Sequence, residues 1–449
     1  MPDIRLDFTR KSAPLKKLHG VNNGPVTAGS LVDVTPAYRE AGIPLARLHD
    51  TNWPNPGEVD IHTIFPDFGK DPEDPASYHF SKTDQYLASI VATGAKIVYR
   101  LGESIEHTSK KYYVHPPADY AKWARICIGI IRHYNEGWAD GFHHDIRYWE
   151  IWNEPDNPDG QVMWSGTDEQ YYELYRVAST AIKQHDPSLK VGGQAATMVN
   201  HPFTRGFIAY CRQHAVPLDF FTWHTYADDP EKVAANARLV RQWLEEAGYM
   251  DMECHLNEWG YLHFDSEEAA KLLWRPEGAA HRKRVFERQK NEEGAAFSAA
   301  LFALLQDCPV HQANYYDAQP HSMFCGLFDM YGNPQKMYDV FAKFNELCQY
   351  DYRIEANIKD GLQGVYALGV SGKNGDSAIW VSNFRGESRE YELAWTPAAN
   401  QRFTHCEWAV LDRERRFDSP EYHDLQSGDR KLSVYLPKYA VLLAKLHAV

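Results

Sequence analysis

Two stretches hold the residue types best suited to chemistry: Trp149-Glu150-Ile151-Trp152-Asn153-Glu154-Pro155 and His255-Leu256-Asn257-Glu258-Trp259-Gly260. In each, a glutamate, Glu154 or Glu258, closes a run that reads as a buried strand. Two carboxylates presented from separate strand ends are the minimum equipment for breaking a glycosidic bond. One protonates the leaving oxygen while the other attacks the sugar. Alone, Asn-Glu-Pro also suits a helix start, because Asn caps and Pro fits the first turn. A second Asn-Glu after a second apolar run strengthens the paired reading.

The elements that must position this pair are an alternation of short apolar runs and helical patterns. Strand candidates fall at 18–22, 45–49, 97–101, 146–152, 190–193, 220–224, 252–257 and 312–316. Segments of helical periodicity lie between them, among them 120–134, 168–185, 230–247, 287–305 and 335–347. Eight strands alternating with helices predict an α/β chain folded as a (β/α)8 TIM barrel. No Gly-rich phosphate loop follows the first strand, which argues against an open dinucleotide-binding sheet. Glu154 then ends strand four and Glu258 strand seven, nearly opposite each other in a ring of eight.

Beyond about residue 350 helical patterns cease. Short strands at 364–370, 377–383, 389–395, 406–411 and 431–436, separated by Gly, Asn and Pro turns, predict a C-terminal β-sandwich. Residues 4–8 alternate like an edge strand that joins it. The expected division is 1–16 for that strand, 17–349 for the barrel and 350–449 for the sandwich. The segments 52–78 and 263–284 are long for connections in a compact barrel, and loops of that length are usually functional.

Trp152-Asn153-Glu154-Pro155 resembles the acid/base signature of the clan A glycoside hydrolases, the superclan built on (β/α)8 barrels. The resemblance implies that Glu154 is the general acid/base and Glu258 the nucleophile, with Asn153 at the sugar 2-hydroxyl. It further implies that Arg47, in Ala46-Arg47-Leu48-His49-Asp50, keeps the nucleophile ionised, and that His224 and Tyr226 orient it. Tyr99-Arg100-Leu101-Gly102-Glu103 resembles strand three of family 39, which includes β-xylosidases and α-iduronidases, and a sandwich after the barrel is similar to that family too. Two departures touch the substrate pocket. Tyr315-Tyr316-Asp317 stands where family xylosidases commonly carry a tryptophan, and Trp259-Gly260-Tyr261 replaces the usual segment after the nucleophile.

The expected reaction is a retaining double displacement on a terminal pentose, in a β-xyloside or an arabinoside. Alternatives are a galactoside, a uronic-acid-containing polysaccharide (with endo action), or a non-catalytic carbohydrate-binding barrel. Glu154 must start protonated, and burial together with the Glu258 charge should raise its pKa. His49 and Asp50 are further candidates for binding sugar hydroxyls, although an ordinary loop start accounts for them equally. Glu103, Tyr315 and Asp317 are weaker candidates. Trp53, Trp164 and Phe324 could form stacking walls, against a default of core packing.

Composition excludes several classes. Lys and Arg number 47 against 61 Asp and Glu, a net charge of −14, which argues against a nucleic-acid partner. Aromatic residues make up 13%, which suits sugar C–H faces as well as a large core. No run approaches the roughly 18 apolar residues of a membrane span. Met1-Pro2-Asp3-Ile4-Arg5-Leu6-Asp7 lacks a charged-then-apolar leader, and the seven cysteines are scattered. A cytoplasmic protein with reduced thiols is the expectation. No His-Glu-x-x-His and no Gly-x-Ser-x-Gly occurs, so no metal, no cofactor and no serine nucleophile is expected. The expected partner is an oligosaccharide or glycoside substrate, and nothing in the sequence sets an oligomeric state.

Overall fold

A computed structural model describes residues 2–27, 31–51, 57–106, 108–157, 162–197, 199–320, 323–399, 401–426 and 429–449. Trp53 lies outside the described residues. Eight parallel strands close into a barrel: β2 (Gly20–Asn22), β3 (Leu45–Leu48), β4 (Lys96–Leu101), β5 (Tyr148–Ile151), β6 (Lys190–Ala196), β7 (Phe220–Ala227), β8 (Glu253–Tyr261) and β9 (Gln312–Tyr315). They are the eight strands expected from the sequence. Their outward residues, such as Trp149 and Ile151 on β5, join the large core beneath the surrounding helices. Their inward residues are unusually polar: Arg47, Arg100 and Glu150 are fully buried.

Helix boundaries follow local chemistry. Asp119 caps α4 (Tyr120–Glu136), and a full capping box of Thr167 and Gln170 starts α5 (Asp168–His185). Asp229 followed by Pro230 starts α7 (Pro230–Glu246). The sequence suggests one helix over 287–305, but the structure has two. Asn291 ends α9 (Ala279–Lys290) and caps α10 (Glu292–Leu304), its Oδ1 accepting from the Glu293 N–H at 2.8 Å. Every residue from Gly294 to Ala303 is buried, because α10 is covered by the barrel on one side and a second sheet on the other.

That second sheet has nine strands, in the order β15-β14-β17-β12-β11-β10-β1-β13-β16. It contains β1 (Ile4–Ser12), β10 (Tyr352–Ile358), β11 (Val365–Ser371), β12 (Ser377–Asn383), β13 (Arg389–Thr396), β14 (Phe403–Leu411), β15 (Glu421–Asp424), β16 (Lys431–Leu436) and β17 (Ala440–Ala448). It folds over a core of its own, in which Ile4, Leu6 and Phe8 meet Ile379, Leu393 and Leu442, giving the expected sandwich. Its other face grips α10: Trp380 Nε1 donates to Ala299 O at 3.1 Å and Ser382 Oγ to Ala296 O at 2.7 Å. The sequence pattern did not reveal β17, whose two buried faces give a continuous apolar run without alternation. All seven cysteines are free. No described helix is long and apolar enough to cross a membrane.

Candidate active site

Glu154 follows β5 by three residues, in a tight connection whose backbone is held in the left-handed region. φ is 69° at Trp152 and 45° at Glu154, and after β3 it is 53° at Asp50. Such conformations cost about 1–3 kcal/mol each and cluster where a fold must aim a functional group. Glu258 is delivered differently. β8 does not stop at residue 257 as the sequence suggests but runs on to Tyr261, with a bulge that makes Trp223 and His224 of β7 face Leu256 and Glu258. Asn257 is the extra residue, so Asn257 and Glu258 both turn inward, contrary to simple alternation. Both glutamates line one cavity of about 380 Å³, and a carboxylate oxygen of each lies within 4.8 Å of the other and of a His224 ring nitrogen.

Arg47 organises the floor. From β3 its buried guanidinium donates to Glu150 Oε2 at 2.6 Å, Asn153 Oδ1 at 2.7 Å, Asn22 Oδ1 at 3.1 Å and Glu258 Oε2 at 3.2 Å. A planar fork can hold four acceptors in fixed directions where an ammonium could not. Asn257 Nδ2 donates to the other oxygen of Glu150. Glu150 was not singled out from the sequence, yet a carboxylate inside an apolar barrel strand required a buried cation, and that was the available signal. Among the described residues no partner meets the Asn153 Nδ2 donor, so it can serve a ligand hydroxyl.

The two glutamates differ in their partners. Glu258 accepts from Tyr226 OH at 2.5 Å as well as from Arg47. Burial raises its pKa and the Glu154 charge adds to this, while His224, Arg47 and Tyr226 pull the other way. Among the described residues, Glu154 meets no Lys or Arg side chain, only His224 at 2.8 Å and Asn157 at 3.1 Å. Burial, then the charge of Asp156, pushes it up to about 8 against a weaker downward pull from Asn157 and Arg47. The raised value was expected, but the neighbouring charge that contributes is Asp156, not Glu258. Of the two, Glu258 is the one that accepts from a guanidinium, which favours its ionised form. Burial lowers His224, whose Nδ1 sits 2.8 Å from Glu154 Oε1 and 3.6 Å from Glu258 Oε2. His224 thus lies nearer to Glu154 than to Glu258, whereas the resemblance implied a contact that orients Glu258.

A family model described as Glycosyl hydrolases family 39 matches residues 38–258. A β-xylosidase from Geobacillus stearothermophilus is 27% identical over 167 residues, 32% of this chain and 32% of that protein. One from Caldicellulosiruptor saccharolyticus is 30% identical over 146 residues, 32% of this chain and 27% of its own length. The matches thus span about a third of each xylosidase. Over the full fold, a solved glucosidase from Croceicoccus marinus superposes with a TM-score of 0.80 at 25% identity, covering 100% of this chain and 99% of that one. Residues 38–258 thus resemble glycosyl hydrolase family 39, and the fold of the whole chain resembles that of the glucosidase.

The remaining expected residues divide. Asp50 and Asp317 line the cavity. Asp50 accepts from the Ile105 N–H at 2.8 Å, and burial pushes its carboxyl up to about 7. His49 is buried next to it, its Nε2 3.3 Å from Asp50 Oδ1. Glu103 is outside the cavity lining and is drawn to His62, whose Nδ1 lies 2.5 Å from its Oε2. Asp60, His62 and Glu103 have the spacing of a metal site, as do Glu154, His224 and Glu258, but Asp60 is already held by Arg100 at 2.6 Å and by Ser104. Tyr315 points out of the barrel, its ring 5.2 Å from Trp259 and 5.5 Å from Phe341, because strand parity turns it toward the helices. Its neighbour Tyr316, absent from the expected set, takes the inward place with its OH 3.4 Å from Asp50 Oδ2. Trp164 is core, packed on Trp152, whereas Phe324 is a cavity wall.

Proposed function

We propose that this chain hydrolyses a terminal pentose from a β-xyloside or an arabinoside by double displacement. The observation that carries the mechanism is the separation of Glu154 and Glu258, whose nearest ligand oxygens are within 4.8 Å. Retaining enzymes hold their carboxyl groups roughly 5–5.5 Å apart, whereas inverting ones leave about 6.5–9.5 Å for a water. Ionised Glu258 attacks the anomeric carbon as the bond to the leaving oxygen breaks. Glu154 gives that oxygen its proton, leaving a glycosyl ester on Glu258. A water then attacks the same carbon and passes a proton to Glu154, and the ester bond breaks to free Glu258. The high pKa of Glu154 supports its first role and the Arg47 and Tyr226 contacts support that of Glu258.

The pentose reading is supported by the two xylosidase relatives, and terminal action by the enclosed floor under the pair. The full-length likeness to a glucosidase favours a glucoside as the second reading. A 2-deoxy-2-fluoro-xyloside with a dinitrophenyl leaving group should trap the intermediate, and peptide mass mapping should find the sugar on Glu258. A label on any other residue, or no label with either the xylo or the gluco reagent, would overturn the mechanism. Labelling by the gluco reagent alone would replace the pentose by a hexose.

A further inference from the structure

The cavity that holds the two glutamates has two unlike halves. Its floor is polar and closed to solvent: Asp50, Asp317 and Gln319 are at most 4% exposed. Its outer wall is apolar, formed by Leu262, Phe264, Leu273 and Trp274 from the segment after β8 and by Met323 and Phe324 after β9. This wall opens outward, with Trp274 52% and Met323 47% exposed. It is also preformed. Leu273, Val285 and Phe286 make a small core of their own, against which Leu262, Phe264 and Phe324 pack. The Phe324 ring stands 5.3 Å from Tyr226 and 5.6 Å from Trp274, joining the nucleophile's hydrogen-bond partner to the rim.

The gradient from polar floor to apolar mouth assigns the two sides of the scissile bond. A terminal sugar needs partners for every hydroxyl, which the buried carboxylates and amides supply. The leaving group then points to the mouth, where the six wall side chains offer a single strong hydrogen-bond donor, the Trp274 indole N–H. A second sugar placed there would leave hydroxyls facing leucine, phenylalanine and methionine, and a buried hydroxyl without a partner is costly. An apolar alcohol loses nothing and gains by burial of its surface.

We propose that this wall is an aglycone site for apolar alcohols, so that the preferred substrates are aryl or alkyl glycosides and not oligosaccharides. The inference rests on the reading of the floor as the site of the terminal sugar. It also accounts for the length of the partly helical segment over 262–284, which carries a hydrophobic wall to the mouth of the barrel.

Two measurements test it separately from the identity of the sugar. The first uses 4-phenylphenol, which carries no sugar, with binding followed by calorimetry. Wild type should bind it, and Trp274→Ala and Met323→Glu, at two exposed points of the wall, should each weaken binding at least 5-fold. The second uses ethyl, butyl, hexyl and octyl β-D-xylosides beside xylobiose. For wild type kcat/KM should rise about 3-fold per buried methylene, hexyl xyloside should surpass xylobiose, and Trp274→Ala should flatten the series. A flat series with xylobiose preferred overturns the inference while leaving the pentose reading intact. Binding of 4-phenylphenol that both variants retain overturns it too. If no xyloside is cleaved but the phenol binds in a Trp274-dependent way, the aglycone site stands and the pentose reading falls.

Discussion

His224 Nδ1 lies 2.8 Å from Glu154 Oε1 and 3.6 Å from Glu258 Oε2, so one imidazole spans the two carboxylates. Burial lowers its pKa, against the opposing pull of the Glu258 charge. The protonation of Glu154 is then set by burial and by Asp156, giving a value of about 8.

The acid role of Glu154 requires its proton, so kcat should fall above about pH 8. Asp156→Asn removes the like charge that raises this pKa while leaving an oxygen for the Thr197 N–H. The alkaline limb should therefore move to lower pH in that variant. A pH–rate profile on a phenyl glycoside, which needs acid assistance, checks the shift, and an unchanged limb would remove Asp156 from the account.

Glu154→Gln should reduce kcat on alkyl glycosides by about 10²–10⁴-fold. The loss should be far smaller for a dinitrophenyl glycoside, whose leaving group departs without a proton. A uniform loss across leaving groups would instead mean that Glu154 does not act as the acid.

The same substitution should stabilise the fold, and more so as pH rises. In the unfolded chain this carboxyl ionises near 4.5, whereas in the folded chain it holds its proton up to about 8. Between these values the unfolded state gains from ionisation and the folded state does not, so stability is lost with rising pH. Glutamine has no proton to lose. The thermal midpoint of Glu154→Gln minus that of wild type should thus grow from pH 5 to pH 8 and then level off, as calorimetry can show.

Arg47 and Glu150 are both fully buried and bonded at 2.6 Å. Arg47→Met leaves Glu150 and Glu258 without their guanidinium, and breaking such a pair costs about 3–5 kcal/mol. The double variant Arg47→Met, Glu150→Gln should recover part of this, since one of the two uncompensated charges is gone. Denaturant titration of both measures it, and a double variant no more stable than the single would show that packing, not charge, sets the cost.

Adjacent tyrosines should behave differently. Tyr316→Phe removes the hydroxyl beside Asp50 in the cavity and should raise KM by about 5–10-fold, the value of one hydrogen bond. Tyr315→Phe, on the helix side of the same strand, should leave KM unchanged within about 2-fold.

The barrel and its paired glutamates were legible because the signals are local. Strand runs such as 146–152 and caps such as Asp119 and Thr167 depend on neighbours a few residues away. The apolar rule for barrel strands also placed Glu154 and Glu258 at strands four and seven. Glu103 and Tyr315 went astray for a related reason. Both sit at strand ends rich in polar groups, but a strand end shows several side chains, and only parity and long-range partners decide which enter the cavity. His62 takes Glu103 away, and the outward half of β9 takes Tyr315.

The sequence by itself determined the barrel, the sandwich and the placement of two glutamates at strand ends, since each follows from periodicity or a short motif. Tertiary structure alone decided their chemistry. It turned Asn257 and Glu258 inward together through a bulge, brought Arg47 across the ring to four acceptors, and set Asp156 next to Glu154. It also built the apolar mouth from two separate loops. Distances and burial arise between residues far apart in the chain, and a pKa or a pocket depends on those distances, which no local pattern encodes.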